Sequence, residues 1–247
     1  MTELHGATDA WNDLLAAQVP VILELVLTTW ARLPRPACDE WEDTITGRLC
    51  AALQRSPDRE RYPFHIRSQV VLLDPASGSE CGRTDILFMP WVPSDEVYFC
   101  LECKRLNPGH AGETRPYHAE YVSRGMQRFV DGQYAGEVEH GGMLGYVLDG
   151  SLDAAISGVE RNIARLRERL GMSGPPDFRS SAHRPDDRRV RETHHRRQPP
   201  AGRLVLHHMF VAPDPAAPAT PPAPPPPSAP ARPARAAPRS PARRARR

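Results

Sequence analysis

The chain has 247 residues, a formal net charge of +2 and a hydrophobic fraction of 40%, which suits one ordinary domain with appended segments and excludes a chain too polar to build a core. The first ten residues lack the pattern of a secretory signal, and the most apolar stretch, residues 19–30, is shorter than a membrane span. We therefore expect a cytoplasmic protein with no membrane partner.

Two helices are predicted before the first strand. Residues 9–33 carry apolar side chains at helical spacing, and Pro20 is expected to kink or divide that helix. Residues 39–54 form the second helix, in which an apolar side chain recurs every four residues, at Trp41, Ile45, Leu49 and Leu53. This spacing predicts one buried stripe made of all four side chains.

Three strands with short connections are predicted next, at residues 65–74, 84–90 and 97–106. Each segment is rich in apolar residues, and the segments are separated by a Gly/Ser-rich turn and by a short link that contains proline. Consecutive strands joined by short links favour a meander, in which neighbouring strands run antiparallel.

The second half of the chain alternates between helices and strands. A helix at residues 117–130, a strand at 142–149 and a charged helix at 152–170 follow one another. Residues 178–184 and 203–211 are predicted to pair as a final hairpin, with a loop rich in Arg and His between them. In that hairpin His183 can face His207 or His208, which we interpret as a surface pairing rather than a catalytic one.

The C-terminal segment, residues 213–247, differs from the rest in composition. It holds 13 of the 28 prolines, seven arginines and one aspartate. Such a segment cannot bury enough apolar surface to offset its ordering entropy, so we predict a disordered tail with polyproline II character. Two interpretations of the tail stay open: a solvated extension without a role, or an electrostatic arm that contacts nucleic acid.

Asp85 and the run Glu102-Cys103-Lys104 carry the chemistry. Side chains alternate along a strand, so Glu102 and Lys104 share one face, and antiparallel pairing brings Asp85 beside Glu102. Two close carboxylates repel one another, and a divalent cation relieves that repulsion. Mg²⁺ suits a site of one or two carboxylates plus phosphate oxygens. The pattern therefore predicts that Asp85 and Glu102 ligate a metal ion.

Lys104 is the only lysine in the chain, since the other 31 basic residues are arginine. Arginine is planar and always charged, whereas lysine is a compact point charge with a tunable pKa. A composition that favours arginine does not explain a lysine two residues after a strand glutamate. We therefore expect Lys104 to orient and activate a water molecule beside the metal.

These residues make the chain resemble the PD-(D/E)XK nuclease superfamily. Asp85 corresponds to its first acidic position and Glu102-x-Lys104 to its (D/E)xK, although Thr84 stands in place of the proline. The order helix, three strands, helix, strand over residues 39–149 is similar to the family's αβββαβ core. The resemblance implies a restriction-endonuclease-like α/β fold, with a central mixed sheet flanked by helices, and Mg²⁺-dependent cleavage of nucleic acid.

The resemblance also suggests two supporting residues. Many members carry a glutamate on the helix before the meander, and Glu42 is the best match, with Glu40 and Asp43 as competitors; a helix-dipole role for these acidic residues stays open. Gln127, on the helix after the third strand, stands where the family often places a supporting residue. An exposed helix face is the alternative for Gln127.

We therefore predict one folded domain at residues 1–212 that acts as a Mg²⁺-dependent endonuclease, with Mn²⁺ as a substitute metal. DNA is favoured over RNA as the substrate, and a homodimer or a specificity partner is expected because the sequence contains no separate recognition domain. The alternative is a non-catalytic module that keeps the fold and binds nucleic acid or a partner protein.

Overall fold

A computed structural model describes the chain over residues 8–57, 62–73, 77–91, 97–172, 178–197 and 202–214. The predicted disordered tail lies almost entirely outside the described residues. The fold is mixed α/β, with a central seven-stranded mixed sheet flanked by helices.

Over the first two thirds of the chain, the predicted helices and strands occur in the predicted order, with additional short strands between them. The helices are α1 (Thr8–Trp30), α2 (Glu42–Gln54), α3 (His118–Glu120), a π-helical segment (Tyr121–Met126), α4 (Gln127–Val130) and α5 (Leu152–Leu166). The strands are β1 (Phe64–Ser68), β2 (Val71–Leu73), β3 (Glu80–Arg83), β4 (Ile86–Pro90), β5 (Phe99–Leu106), β6 (Gly109–His110), β7 (Glu113–Thr114), β8 (His140–Val147), β9 (Arg179–Ser180), β10 (Val190–Arg196) and β11 (Arg203–Val211).

The large sheet has the strand order β1-β4-β5-β8-β11-β10-β9. Strands β1, β4 and β5 pair antiparallel, which confirms the predicted meander, and a separate β2–β3 hairpin is inserted between β1 and β4. Strands β5, β8 and β11 run parallel to one another. The single predicted strand at 65–74 is divided into β1 and β2 at Gln69, whose φ of 54° turns the chain.

Helices cover both faces of this sheet. On one face, Tyr146 of β8 stacks on Trp30 of α1 with a centroid distance of 5.2 Å and shares a hydrogen bond of 3.1 Å with Thr46 of α2. On the other face, Tyr121 of the π-helical segment stacks on Phe210 of β11 with a centroid distance of 5.7 Å. The parallel strands in the centre are therefore buried on both sides, as such strands normally are.

The predicted final hairpin is wrong. Residues 178–184 do not pair with β11; instead β10 lies between them, antiparallel to both β9 and β11. The segment that forms β10 was predicted as a loop because its sequence, VRETHHR, is polar. Its buried positions include Thr193 and His195, which are tolerated in the core because they are hydrogen-bonded to each other.

The N-terminal helices differ from their predictions in two ways. Helix α1 is a single helix through Pro20, so the proline does not divide it, and buried side chains on both sides of the proline hold the helix against the sheet. Trp41 does not join the buried stripe: it precedes α2, is 73% exposed and lies under the guanidinium of Arg105 at 5.0 Å. The remaining three members, Ile45, Leu49 and Leu53, are buried as predicted.

The apolar part of α1 is longer than the sequence pattern indicated. By length and composition alone, residues Trp11–Trp30 could cross a membrane, although residues 19–30 by themselves are too short. Half of that stretch is buried inside the protein, where Leu15, Val19 and Ile22 are fully covered. The pattern of burial is that of a helix packed on a core.

Candidate active site

The site lies where β4 and β5 separate. Their pairing ends at Ile86, so the backbone N–H groups of the following β5 residues lose their strand partner. Two side-chain carboxylates take the place of β4 as hydrogen-bond acceptors for these N–H groups. Asp85 Oδ2 accepts a hydrogen bond of 2.7 Å from the Cys103 N–H, and Glu42 Oε2 accepts one of 2.8 Å from the Arg105 N–H. Because backbone donors in the interior need acceptors, the end of the pairing fixes both carboxylates at the edge of β5.

The Lys104 ammonium group joins the acidic residues. Its Nζ lies 2.8 Å from Glu102 Oε1 and 3.0 Å from Glu42 Oε1, and it donates a hydrogen bond of 2.7 Å to the Cys103 carbonyl oxygen. An ammonium group has three donors, and these three acceptors use all of them. The structure thus brings Glu42, Glu102 and Lys104 into direct contact, with Asp85 held on the adjacent backbone.

The Glu102 carboxylate is the most buried charge of the group, with a side chain only 1% exposed. Its Oε1 contacts both Lys104 Nζ and the Arg128 guanidinium, the latter at 3.0 Å. Its Oε2 is buried and has no hydrogen-bond partner among the described residues. A buried carboxylate oxygen without a partner is costly, so this atom is suited to an additional ligand.

Arg128 is the site residue that the sequence did not reveal. It lies on α4, and besides Glu102 it contacts the Tyr134 hydroxyl at 2.6 Å, which in turn donates to the Arg83 carbonyl oxygen at 2.6 Å. These contacts tie the segment after α4 to β3 and hold the guanidinium over the buried carboxylate.

Gln127, the predicted supporting residue, does not contact these side chains. Its Nε2 donates a hydrogen bond of 2.6 Å to Asp131 Oδ1, and its side chain is buried, so the alternative of an exposed helix face is also wrong. The π-helical segment Tyr121–Met126 explains the difference. An α-helical count of 3.6 residues per turn is displaced by the wider π turn, and the position facing β5 moves from 127 to 128.

The pKa values in this site depend on burial and on the proximity of three carboxylates to two cations. Burial, followed by the charge of Glu102, raises the pKa of Asp85 to about 7. Burial also raises the pKa of Glu102, although Lys104 and Arg128 oppose the shift. Burial opposes the charged form of Lys104, but the carboxylates around it outweigh that effect and raise its pKa. Lys104 is therefore a permanent cation here, while Asp85 sits near its titration point at neutral pH.

Asp85 and Glu102 fit a hard divalent cation. The raised pKa of Asp85, caused first by burial and then by the charge of Glu102, shows that its ionised form lacks a compensating charge that a cation would supply, and the unpartnered Glu102 Oε2 is a free oxygen ligand. Among the described residues no three His, Cys, Asp or Glu side chains are grouped around one point. The donor set is thus limited to two carboxylates, which matches Mg²⁺ better than Ca²⁺ or Zn²⁺, because Mg²⁺ keeps water and phosphate oxygens as its remaining ligands.

In the presence of EDTA, Asp85→Asn is expected to raise the free energy of unfolding at pH 8, on the order of 2 kcal/mol after allowance for solvent screening. The native carboxyl has a pKa of about 7, above its unfolded value, so the fold loses stability when this group ionises above pH 7. That loss of stability disappears as the pH falls towards 4. Urea denaturation at pH 8 and pH 5 measures the difference, which should shrink at the lower pH.

The matched control is Asp43→Asn, because Asp43 is exposed on the first turn of α2. It should change the stability by less than about 1 kcal/mol, which is the usual contribution of a carboxylate in the first turn of a helix. An Asp85→Asn variant that is less stable than the parent protein at pH 8 would show that the ionised carboxylate is favoured in the fold, contrary to the burial described here.

The chain matches no protein-family model, no curated protein and no solved structure. Its resemblance to the PD-(D/E)XK superfamily therefore depends on the residues and element order described above.

Proposed function

We propose that the protein is a metal-dependent nuclease of the PD-(D/E)XK type. The observation that carries the proposal is the contact of Lys104 with Glu102 at 2.8 Å, beside the Asp85 carboxylate at the point where β4 and β5 separate. Two carboxylates whose negative charge is only partly compensated, together with one protonated amine, are the groups that phosphodiester hydrolysis uses around a metal.

Asp85 and Glu102 would hold Mg²⁺, which lowers the pKa of a bound water and neutralises charge that develops on the phosphate. Lys104 carries a fixed positive charge that can stabilise the developing oxyanion. To orient the attacking water as well, its ammonium would exchange one of its three present acceptors for that water. Glu42 holds the Lys104 ammonium in place through a contact of 3.0 Å. Arg128 compensates the buried Glu102 charge and fixes the orientation of its carboxylate.

The proposed substrate is DNA rather than RNA, and restriction, phage defence or DNA repair are settings that suit such an activity; this choice follows the family resemblance. A homodimer or a specificity partner would supply the second active site or the target recognition. Nicking of supercoiled plasmid, compared with cleavage of a single-stranded RNA of similar length, tests the substrate. Equal or faster cleavage of the RNA would overturn the choice of DNA.

The direct test of the nuclease is plasmid nicking with Mg²⁺ or Mn²⁺ against EDTA. We expect nicking with either metal, none with EDTA, and loss of nicking in Asp85→Ala because a metal ligand is removed. Asp43→Ala is the matched control and should cut like the parent protein, since Asp43 is exposed and lies outside the contacts described. Undiminished metal-dependent cleavage by Asp85→Ala would refute the assignment.

Glu42 acts through Lys104, so we treat it as a positioning residue. Glu42→Gln is expected to slow cleavage roughly 10-fold, because it loses the ionic contact of 3.0 Å that holds the Lys104 ammonium in place. Glu42→Asp keeps a carboxylate and should recover part of the rate. Plasmid nicking by both variants beside Asp43→Asn measures the effect, and equally slow cleavage by Glu42→Gln and Glu42→Asp would assign Glu42 a purely structural role.

One observation favours the non-catalytic alternative. All three donors of Lys104 are used within the protein, and Arg128 adds a second cation to Glu102, so much of the acidic charge is already compensated. A module of this kind would bind DNA in a salt-sensitive way without turnover. Deletion of residues 213–247 would then abolish most of the binding, because seven arginines lie in that segment.

A further inference from the structure

A second group of titratable side chains lies on the opposite face of the sheet from Glu102. The group, called the histidine cluster below, consists of His140, His183, His194, His207 and Glu192. His207 pairs across the strands with Gly142, and Gly142 pairs with Leu101. Leu101 and its neighbour Glu102 point to opposite faces of β5, so the cluster is separated from the carboxylate site by the sheet itself.

Two histidines of the cluster are in direct contact. The His140 Nδ1 and His207 Nε2 atoms are 3.1 Å apart, and the two rings are stacked with a centroid distance of 5.4 Å. Two nitrogens bound to one tetrahedral metal ion at 2.0–2.1 Å are about 3.4 Å apart. The contact is a hydrogen bond between the two rings, and a cation that replaced its proton would require the two nitrogens to move apart by only about 0.3 Å.

Further donors surround the pair. The ring of His183 lies 5.5 Å from that of His207, and His194 Nε2 lies 3.0 Å from Glu192 Oε1. His183 and His194 are exposed, so the cluster opens to solvent on this side and these side chains can rotate. Among the described residues no three such side chains already meet at one point. An ion would therefore be bound by the buried His207 and the half-buried His140, and an exposed histidine would complete its coordination.

Two other histidines, the buried His195 and His208, form a hydrogen-bond network in which every ring nitrogen has a partner. Thr193 Oγ1 lies 2.7 Å from His195 Nε2 and 2.8 Å from His208 Nε2, while His195 Nδ1 contacts the Leu170 carbonyl oxygen and His208 Nδ1 contacts the Tyr121 hydroxyl. All four ring nitrogens have a partner, and no further ligand is needed.

The histidine cluster is not complete in this sense. The hydrogen bond to His140 uses His207 Nε2, whereas His207 Nδ1 is buried and has no hydrogen-bond partner among the described residues. A cation bound between His140 Nδ1 and His207 Nε2 would leave His207 Nδ1 as the protonated nitrogen of that ring, so Nδ1 is not itself a ligand of this ion. Burial also lowers the pKa of His140 to about 4 and that of His207 to about 3, so both rings are neutral near pH 7, which is the form that binds metals.

We propose that the histidine cluster binds one transition-metal cation of the Zn²⁺ class, with the buried His207 and the half-buried His140 as two ligands and His183 completing the site from the loop before β10. Neutral imidazole suits Zn²⁺, Co²⁺, Ni²⁺ and Cu²⁺, whereas Mg²⁺ prefers oxygen. His194 or Glu192 would supply a fourth ligand or a hydrogen bond to one of the ligating histidines. The bound ion would fasten the loop that carries His183 to the sheet.

The test is titration of the full chain, free of any added polyhistidine, with Co²⁺ and with Zn²⁺ at pH 7.5. We expect one equivalent of Co²⁺ to give the visible absorption of a tetrahedral site and Zn²⁺ to displace it. His183→Ala and His140→Ala should each weaken binding about 10-fold or more. His110→Ala is the matched control, since His110 is exposed and lies outside the cluster, and it should bind like the parent protein.

Three results would overturn the proposal: no Co²⁺ absorption, binding that survives both substitutions in the cluster, or binding that is lost in Asp85→Asn instead. His183 is exposed, so its removal is compatible with folding, and the far-ultraviolet circular dichroism of each variant checks this. The proposal is independent of the nuclease. His183→Ala should still nick plasmid with Mg²⁺ if both are correct, and failure of nicking in the parent protein would leave the Co²⁺ result unaffected.

Discussion

Lys104→Ala is expected to slow Mg²⁺-dependent cleavage of plasmid DNA by about 100-fold or more, in line with the loss of one oriented donor at an oxyanion site. The ammonium contacts Glu102 and Glu42 and lies at the separation of β4 and β5, where water and phosphate would meet the metal. Lys104→Arg should not restore the rate, because a planar guanidinium cannot direct three donors at the three acceptors that surround Nζ.

Loss of Lys104 also removes a partner from the buried Glu102, so Lys104→Ala is expected to lower the free energy of unfolding as well as the cleavage rate. The double variant Lys104→Met/Glu42→Gln removes one positive and one negative charge together and should fold more stably than Lys104→Met. Arg124→Ala, an exposed position on the π-helical segment, is the matched control. A folded Lys104→Met/Glu42→Gln protein that nicks at the parent rate would exclude a catalytic role for Lys104.

The free energy of unfolding is expected to fall steeply as the pH drops from about 6.5 to 4. Burial lowers the pKa of His195 to about 4 and that of His208 well below its usual value. At pH values between these lowered pKa values and the unfolded pKa near 6.5, the two histidines bind protons in the unfolded chain but not in the native protein. Each of the two histidines then costs about 2 kcal/mol at pH 5, against a typical total stability of roughly 5–15 kcal/mol.

The raised pKa of Asp85 has the opposite sign, since the native carboxyl binds a proton below pH 7 while the unfolded one does not. The experiment is therefore best made in the Asp85→Asn background with EDTA, by urea denaturation at intervals between pH 7.5 and 4.5. His208→Leu should reduce the slope of stability against pH by about one proton between pH 6 and 5. The exposed His65→Gln is the control, and equal slopes for both variants would contradict the prediction.

Most of the candidate site follows from local sequence pattern. Alternation along β5 puts Glu102 and Lys104 on one face, and a short antiparallel link puts Asp85 next to them. These are consequences of a period of two residues, which the sequence displays directly. Glu42 was a weaker inference, because an acidic residue in the first turn of a helix equally suits the helix dipole, and only the three-dimensional contact with Lys104 distinguishes the two roles.

The remaining features depend on interactions that no local pattern records. Arg128 reaches Glu102 because a π-helical turn displaces the register of the preceding helix. Strand β10 is polar in sequence and becomes a buried strand only because Thr193 and His195 find partners across the sheet and in the turn after α5. Both cases are decided by tertiary hydrogen bonds, which outweigh local propensity.

The single lysine has a practical consequence for chemical labelling. Lys104 is the only side-chain amine in the chain, and the surrounding carboxylates keep it protonated, which makes it a poor nucleophile towards acylating reagents. Its rate of acylation therefore reports on the charge state of this one pocket. A protease that cuts after lysine likewise has one site, at a half-buried position on a central strand. The rate at which two fragments appear therefore measures how often β5 opens.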